Sequence, residues 1–139
     1  MTRIDLHAHL LPSGYLDLLP DAGIFPQPLP TKADLDATMR RCEIDAVVLS
    51  VGPPGARFGD GGREAEIARA ANEGLAEIVA SDPARYAALA TLPLMDVAAA
   101  HAELAYALDV LGLDGVMLVS NVGGTYLGDP VWESLYAEL

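Results

Sequence analysis

The stretch RIDLHAHLLP, residues 3–12, sets two histidines one residue apart at the end of a short apolar run. On a β-strand, side chains two residues apart share a face, so an extended run projects His7 and His9 together. Neutral imidazole is a good ligand for zinc and similar divalent cations, and two rings on one face can share one ion. An HxH pair by itself also suits two histidines that merely hydrogen-bond a loop. Its place at the mouth of a first strand, with a proline-rich loop behind it, favours the metal. A catalytic metal site normally has three or more protein ligands and an open position for water. The chain's remaining histidine, His101, falls in AAAHAEL beside a helical apolar stripe, where packing is the expected role.

Two further residues stand where a substrate could be met. Arg57 lies in the glycine-rich segment GPPGARFGDGG (52–62) and could grip a carboxylate through two parallel N–H bonds, although a solvated loop arginine is the simpler reading. Asn121 opens NVGG just past an apolar run, either as a substrate contact or as a turn-forming residue before glycines. Asp5 alternates away from the histidines and is expected to serve structure. Asp114 precedes a strand, and Asp129 followed by Pro130 reads as a helix N-cap, so neither is expected to be a ligand.

The elements that must carry these residues follow from periodicity. Residues 3–7 read as a strand and 12–30 as a loop, with Pro12, Pro20, Pro26, Pro28 and Pro30 barring a regular helix through its second half. Thr31 with Asp34 three residues on is a weak capping box, and Leu35, Met39 and Cys42 follow at helical spacing. AVVLSV (46–51) is a continuous apolar run, as expected of a strand buried on both faces. Ile67, Ala71, Gly74, Leu75 and Ile78 predict an amphipathic helix over 63–80, ended by SDP at 81–83. RYAALATLP (85–93) reads as a third strand. Asp96 caps a third helix with the stripe Val97, Ala100, Leu104, Leu108 and Leu111, and Gly112 occupies a left-handed C-cap position. GVMLVS (115–120) reads as a fourth buried strand, NVGGTYLGDP as a loop, and a fourth helix begins near Val131.

Four βα units in strict alternation imply a parallel sheet with helical crossovers. Two architectures fit: a small open sheet with helices on both faces, or the N-terminal half of a (βα)8 barrel, which typically needs about 250 residues. The 139 residues are close to half of that, and the last apolar stripe, Trp132, Leu135 and Leu139, is still recurring at the chain end. The half-barrel, truncated at the C-terminus over 1–139, is therefore the expected fold.

Composition excludes other classes. Twenty acidic residues against 8 basic leave a net charge of −12, which argues against partners such as nucleic acid or an anionic membrane. A single cysteine, Cys42, permits no internal disulfide and fits a reduced cytoplasmic setting. Arg3, Asp5, His7 and His9 are incompatible with a signal peptide, and no apolar run approaches the roughly 20 residues needed to span a bilayer.

IDLHAHLLP resembles the opening of the metal-dependent amidohydrolase superfamily, whose first barrel strand ends in an HxH metal pair. ARAANEGLAEIVASDPARYAALATLPLMD and LGLDGVMLVSNVGGTYLGDP are similar to its aminocarboxymuconate-semialdehyde decarboxylase-like branch, often labelled amidohydrolase 2. The resemblance runs over essentially the whole chain. It implies a divalent metal, zinc first, with His7 and His9 as the first two ligands, and commonly a homodimer. It implies non-oxidative decarboxylation of a small carboxylate substrate, or a related hydrolysis. The remaining metal ligands and the acid/base histidine are expected beyond Leu139. One departure bears on the substrate: the family's decarboxylase carries a substrate-binding arginine in an insert after its first strand, and here no arginine stands between Arg3 and Arg40. Phosphoesterases of the polymerase-and-histidinol-phosphatase type and TatD-like nucleases also open with HxH. Neither accounts for SNVGG. The rival from another class is a catalytically incomplete fragment or interaction half. A four-strand half-barrel would leave edges and an apolar inner face free to pair with a second copy or a complementary C-terminal half.

Overall fold

The computed structural model describes residues 2–19, 25, 28–58 and 63–139. The element order is β1 (Ile4–His9), α1 (Ser13–Leu18), α2 (Lys32–Cys42), β2 (Ala46–Ser50), α3 (Glu64–Ser81), β3 (Tyr86–Ala90), α4 (Val97–Ala105), β4 (Gly115–Val116), the hairpin strands β5 (Asn121–Val122) and β6 (Thr125–Tyr126), and α5 (Glu133–Glu138). β1 to β4 form one sheet in the order β1-β2-β3-β4, and all three pairings are parallel. Each crossover passes through a helix, the connection that parallel neighbours require.

Local chemistry places the helices where the sequence puts them. The Thr31 side chain accepts from the Asp34 N–H and Asp34 answers to the Thr31 N–H, a complete capping box that starts α2. Asp96 accepts from the N–H groups of Ala98 and Ala99 at the head of α4. That helix continues as a π-helical turn, Tyr106–Val110, before Gly112 turns the chain at φ +70°. Asp129 accepts from the Val131 N–H and starts the 3₁₀ turn Pro130–Trp132 that leads into α5.

Packing decides which face of the sheet is covered. Val47 and Leu49 of β2 pair with Tyr86 and Ala88 of β3, and all four are buried with Met39 of α2 and Ile67, Ala71 and Leu75 of α3. A second cluster joins Leu92, Leu94, Ala100, Leu104, Val122, Trp132 and Leu135. On β1 the large side chains Ile4 and Leu6 are 54% and 71% exposed, and Ala46 and Val48 of β2 are only half-buried. β2 is thus covered fully on one face rather than on both. Gly74 marks the tightest packing: a Cβ there would lie 2.3 Å from Pro12 Cβ, so α3 approaches the start of α1 as only glycine allows.

Several boundaries differ from the sequence reading, each for a nonlocal reason. β1 runs on to His9, because Ser50 gives it a partner. Ser13–Leu18 forms α1 directly after Pro12, while Pro20 and Pro26 of the expected loop and residues 59–62 of the glycine-rich segment lie outside the described residues. β3 ends at Ala90, since its ladder to β2 stops at Leu49↔Ala88 and its ladder to β4 at Ala90↔Val116. β4 spans two residues instead of six. It is an edge strand paired only to Leu89 and Ala90, and residues 117–119 are half-buried. NVGGTY closes as a hairpin, with Gly123 and Gly124 at φ +59° and +94° in its two-residue turn. Among the described residues no helix is long and apolar enough to cross a membrane.

Candidate functional site

The pairing of β1 with β2 slips by one residue between Asp5 and Ala8, a β-bulge that takes in Leu6 and His7. The bulge is tied by Asp5, whose Oδ1 accepts the His7 N–H at 3.0 Å. Asp5, half-buried and in register with Val47, thus spends its carboxylate on the backbone. His7 and His9 are both exposed at the C-terminal end of β1, with ring centroids 5.0 Å apart and planes at 75°.

His9 is held from two sides. Its Nδ1 stands 2.9 Å from Ser50 Oγ and 3.3 Å from the Ser50 carbonyl oxygen. A protonated Nδ1 donates to either, which leaves the Nε2 lone pair for a cation. Beneath the ring lies Gly52, where a Cβ would come within 3.2 to 3.3 Å of three ring atoms. Ser50 is buried at 4% exposure, so its hydroxyl is part of the frame and not a surface group. Sequence reasoning missed it. The available signal was a serine closing an otherwise apolar strand.

The β2–α3 loop is described from Gly52 to Phe58. Fully buried Tyr15 of α1 donates its hydroxyl to the Gly55 carbonyl at 2.8 Å, and burial pushes its phenol up to about 12. Arg57 is exposed, its own N–H bonded to the Pro54 carbonyl at 3.2 Å. Together with Pro53, Pro54, Val119, Ser120 and Asn121 it lines an open cavity of about 450 Å3. Two residues from different βα units, Arg57 and Asn121, are therefore brought to one cleft. The Asn121 Oδ1 also accepts the Gly124 N–H at 3.0 Å, closing the hairpin turn. Glu64, at the head of α3 and 4% exposed, accepts the Met95 N–H at 3.2 Å. Burial raises its carboxyl above the usual range, partly offset by the Met95 bond and the Arg57 charge.

The other histidine and carboxylates stand elsewhere. His101 joins α4 to α5, with Nε2 3.0 Å from Ser134 Oγ and Nδ1 3.5 Å from Glu138. Asp114 accepts the Ala88 N–H at 3.0 Å and anchors β4 against β3. Among the described residues, no three of His, Cys, Asp and Glu gather closely enough to hold a metal. His7 and His9 fit one side of such a site: two imidazoles on one face, one already oriented through its other nitrogen.

Four parallel strands in sequential order, helices covering one face and a histidine pair at the first strand's C-terminal end define half of a metal-hydrolase-type (βα)8 barrel. The chain belongs to the amidohydrolase family, whose model matches residues 4–139. It is 34% identical over 148 residues to the 6-methylsalicylic acid decarboxylase acuB of Aspergillus aculeatus, covering 99% of this chain and 44% of that protein. A solved amidohydrolase II is similar at a TM-score of 0.86 and 31% identity, covering 99% of this chain and 47% of its own. The dihydroxybenzoic acid decarboxylase of Polaromonas, solved with manganese and the inhibitor 2-nitroresorcinol, is similar at 0.77 and 27%, covering 98% and 46%. The chain spans about half the length of the curated relatives it matches.

Proposed function

We propose that the chain forms the N-terminal half of a metal-dependent carboxy-lyase that removes CO2 from a small aromatic carboxylate. The reading rests on the His7–His9 pair, its His9 held by Ser50, in a chain 34% identical to a decarboxylase across 99% of its length. His7 and His9 would hold a divalent cation. Zinc is favoured by the imidazole donors, and manganese is the alternative carried by the Polaromonas decarboxylase. When bound, such a cation polarises an oxygen of the substrate and offsets its developing charge.

The chain's own residues bind and orient. Arg57 grips the substrate carboxylate or an adjacent ring oxygen, and Asn121 lines the same cleft. In the reaction the ring–carboxylate bond breaks, CO2 leaves, and a proton replaces it on the ring carbon. His101, bonded between α4 and α5, is not placed to supply that proton. The acid/base group and the further ligands belong to a complementary half, either a continuation of the polypeptide or a partner chain, with a homodimer as the second form. The single cysteine supports a cytoplasmic location.

The test is product analysis with 6-methylsalicylate and 2,6-dihydroxybenzoate in the presence of Zn2+ or Mn2+, using the chain with and without its complementary half. Metal-dependent release of CO2 and the corresponding phenol, abolished by His7→Ala, is the expected result. Turnover of an amide or ester analogue with no CO2 from either acid would replace decarboxylation with hydrolysis.

A further inference from the structure

Asn72, in the middle of α3, is fully buried, and its amide pairs a backbone segment as a neighbouring strand would. Its Nδ2 donates to the Thr91 carbonyl at 2.9 Å, and its Oδ1 accepts the Thr91 N–H at 2.8 Å. Nδ2 also donates to Glu103 Oε1 at 2.8 Å. Glu103 is itself 3% exposed, and its Oε2 takes the Arg69 Nε–H at 2.9 Å, while Arg69 stacks on Tyr106 at 3.6 Å from the ring centre. A flipped amide would face two acceptors with an oxygen, so the network permits a single orientation.

Thr91 needs this partner because it is the first residue past β3. The β2–β3 ladder stops at Leu49↔Ala88, and a buried peptide group without a partner is costly. Holding Thr91 extended has a consequence on the other side of it. A side-chain carbon at Gly55 would stand 3.6 Å from Thr91 Cγ2, so the methyl lies beside Gly55. Thr91, Gly55 and Arg57 line one small cavity together with Val51 and Leu92. The contacts run from Asn72 to Thr91, from Thr91 to Gly55, and along the loop to Arg57.

We propose that Asn72 is a positioning residue: its clamp on the Thr91 backbone, passed on through the Thr91 methyl to Gly55, sets where the Arg57 loop stands in the cleft. The proposal rests on the reading of Arg57 as the carboxylate-binding residue. Neither Asn72 nor Thr91 lines the cleft that Arg57 shares with Asn121, so the effect is one of placement. A displacement of about 1 Å is enough to cost a large share of an oriented contact.

The experiment follows the Gly55 amide and Arg57 Nε–H signals by NMR in the full 139-residue chain, with salicylate titrated as the carboxylate probe. Asn72→Ala and Thr91→Ser, which deletes only the Cγ2 methyl, are compared with Met39→Ala, a buried α2 control. Both test variants are expected to shift the two signals and weaken salicylate binding by about five- to tenfold. Met39→Ala lowers the melting temperature without doing either. If Asn72→Ala lowers the melting temperature as Met39→Ala does, while both signals and salicylate affinity stay put, the proposal is overturned. Should Asn72→Ala fail to fold, unchanged signals in Thr91→Ser overturn it equally. Salicylate affinity unaffected by Arg57→Ala would instead sink the reading of Arg57, and the Gly55 and Arg57 signals would still decide the role of Asn72.

Discussion

His9 and Ser50, 41 residues apart in the chain, meet at 2.9 Å between Nδ1 and Oγ at the paired ends of β1 and β2. This contact turns an exposed histidine into an oriented one. A ligand whose second nitrogen is already engaged loses less freedom on binding a cation and is fixed in one tautomer.

Removing the hydroxyl should show that. Ser50→Ala is expected to weaken zinc binding about tenfold, the lower end of what outer partners contribute, because the Ser50 carbonyl remains as an alternative acceptor at 3.3 Å. Calorimetric zinc titration of the two proteins measures it. Equal affinities would mean that Ser50 does not orient the ring.

Gly52 makes the same point sterically. Its missing Cβ leaves the space that the His9 ring occupies, so Gly52→Ala pushes a methyl to 3.2 Å from Cδ2. The ring must give by a few tenths of an ångström, which disturbs its contact with Ser50. Zinc affinity should fall with little change in melting temperature, and the His9 ring protons should move in the NMR spectrum while those of His101 stay fixed.

Gly74→Ala sets two opposed effects against each other. Alanine favours a helix interior by about 1 kcal/mol over glycine. Here its Cβ would sit 2.3 Å from Pro12 Cβ and 2.9 Å from Cγ, and overpacking of that kind costs about 1–3 kcal/mol. The expected net result is a loss of about 1 kcal/mol, read as a lower urea midpoint at unchanged slope. A rise in the midpoint would mean that α1 can withdraw from α3 freely.

The pH dependence of stability contains two opposite contributions. Burial raises the Glu64 carboxyl above its ordinary value, so the folded state holds this proton more tightly than the unfolded state does. Its ionisation therefore costs stability above the raised value, and the cost is relieved as pH falls through that value toward the ordinary carboxylate range. Asp36 is the reverse. The Tyr86 hydroxyl bond, ahead of Lys32, holds its carboxyl low, and the stability it contributes above the unfolded value is lost as pH falls through its folded value. Glu64→Gln, which keeps an acceptor for Met95, should raise the melting temperature at neutral pH and less so in mild acid. Melting curves across that range decide it; a Gln variant less stable at neutral pH would show that the charge is favourable where it stands.

Much of this architecture was legible because its causes are local. The i, i+2 spacing of His7 and His9, the capping side chains of Thr31, Asp96 and Asp129, the left-handed Gly112 and the apolar periods of α3 and α4 each depend on residues within a turn or two. Alternation of those periods was enough to predict a parallel sheet and half of a barrel, and the family match agrees. The short β4 and the early end of β3 were not legible, since an apolar run is the same whether or not a neighbouring strand is present to pair with it.

The amino-acid sequence by itself determined which side chains face together and which elements carry them, because strand and helix periods are properties of the local backbone. Tertiary structure alone decided their partners: Ser50 behind His9, Glu64 under Met95, Asn72 on Thr91, and Arg57 in one cleft with Asn121. Such pairs are set by strand register and helix packing, and a register is the outcome of many weak contacts between distant segments rather than of any one residue's preference.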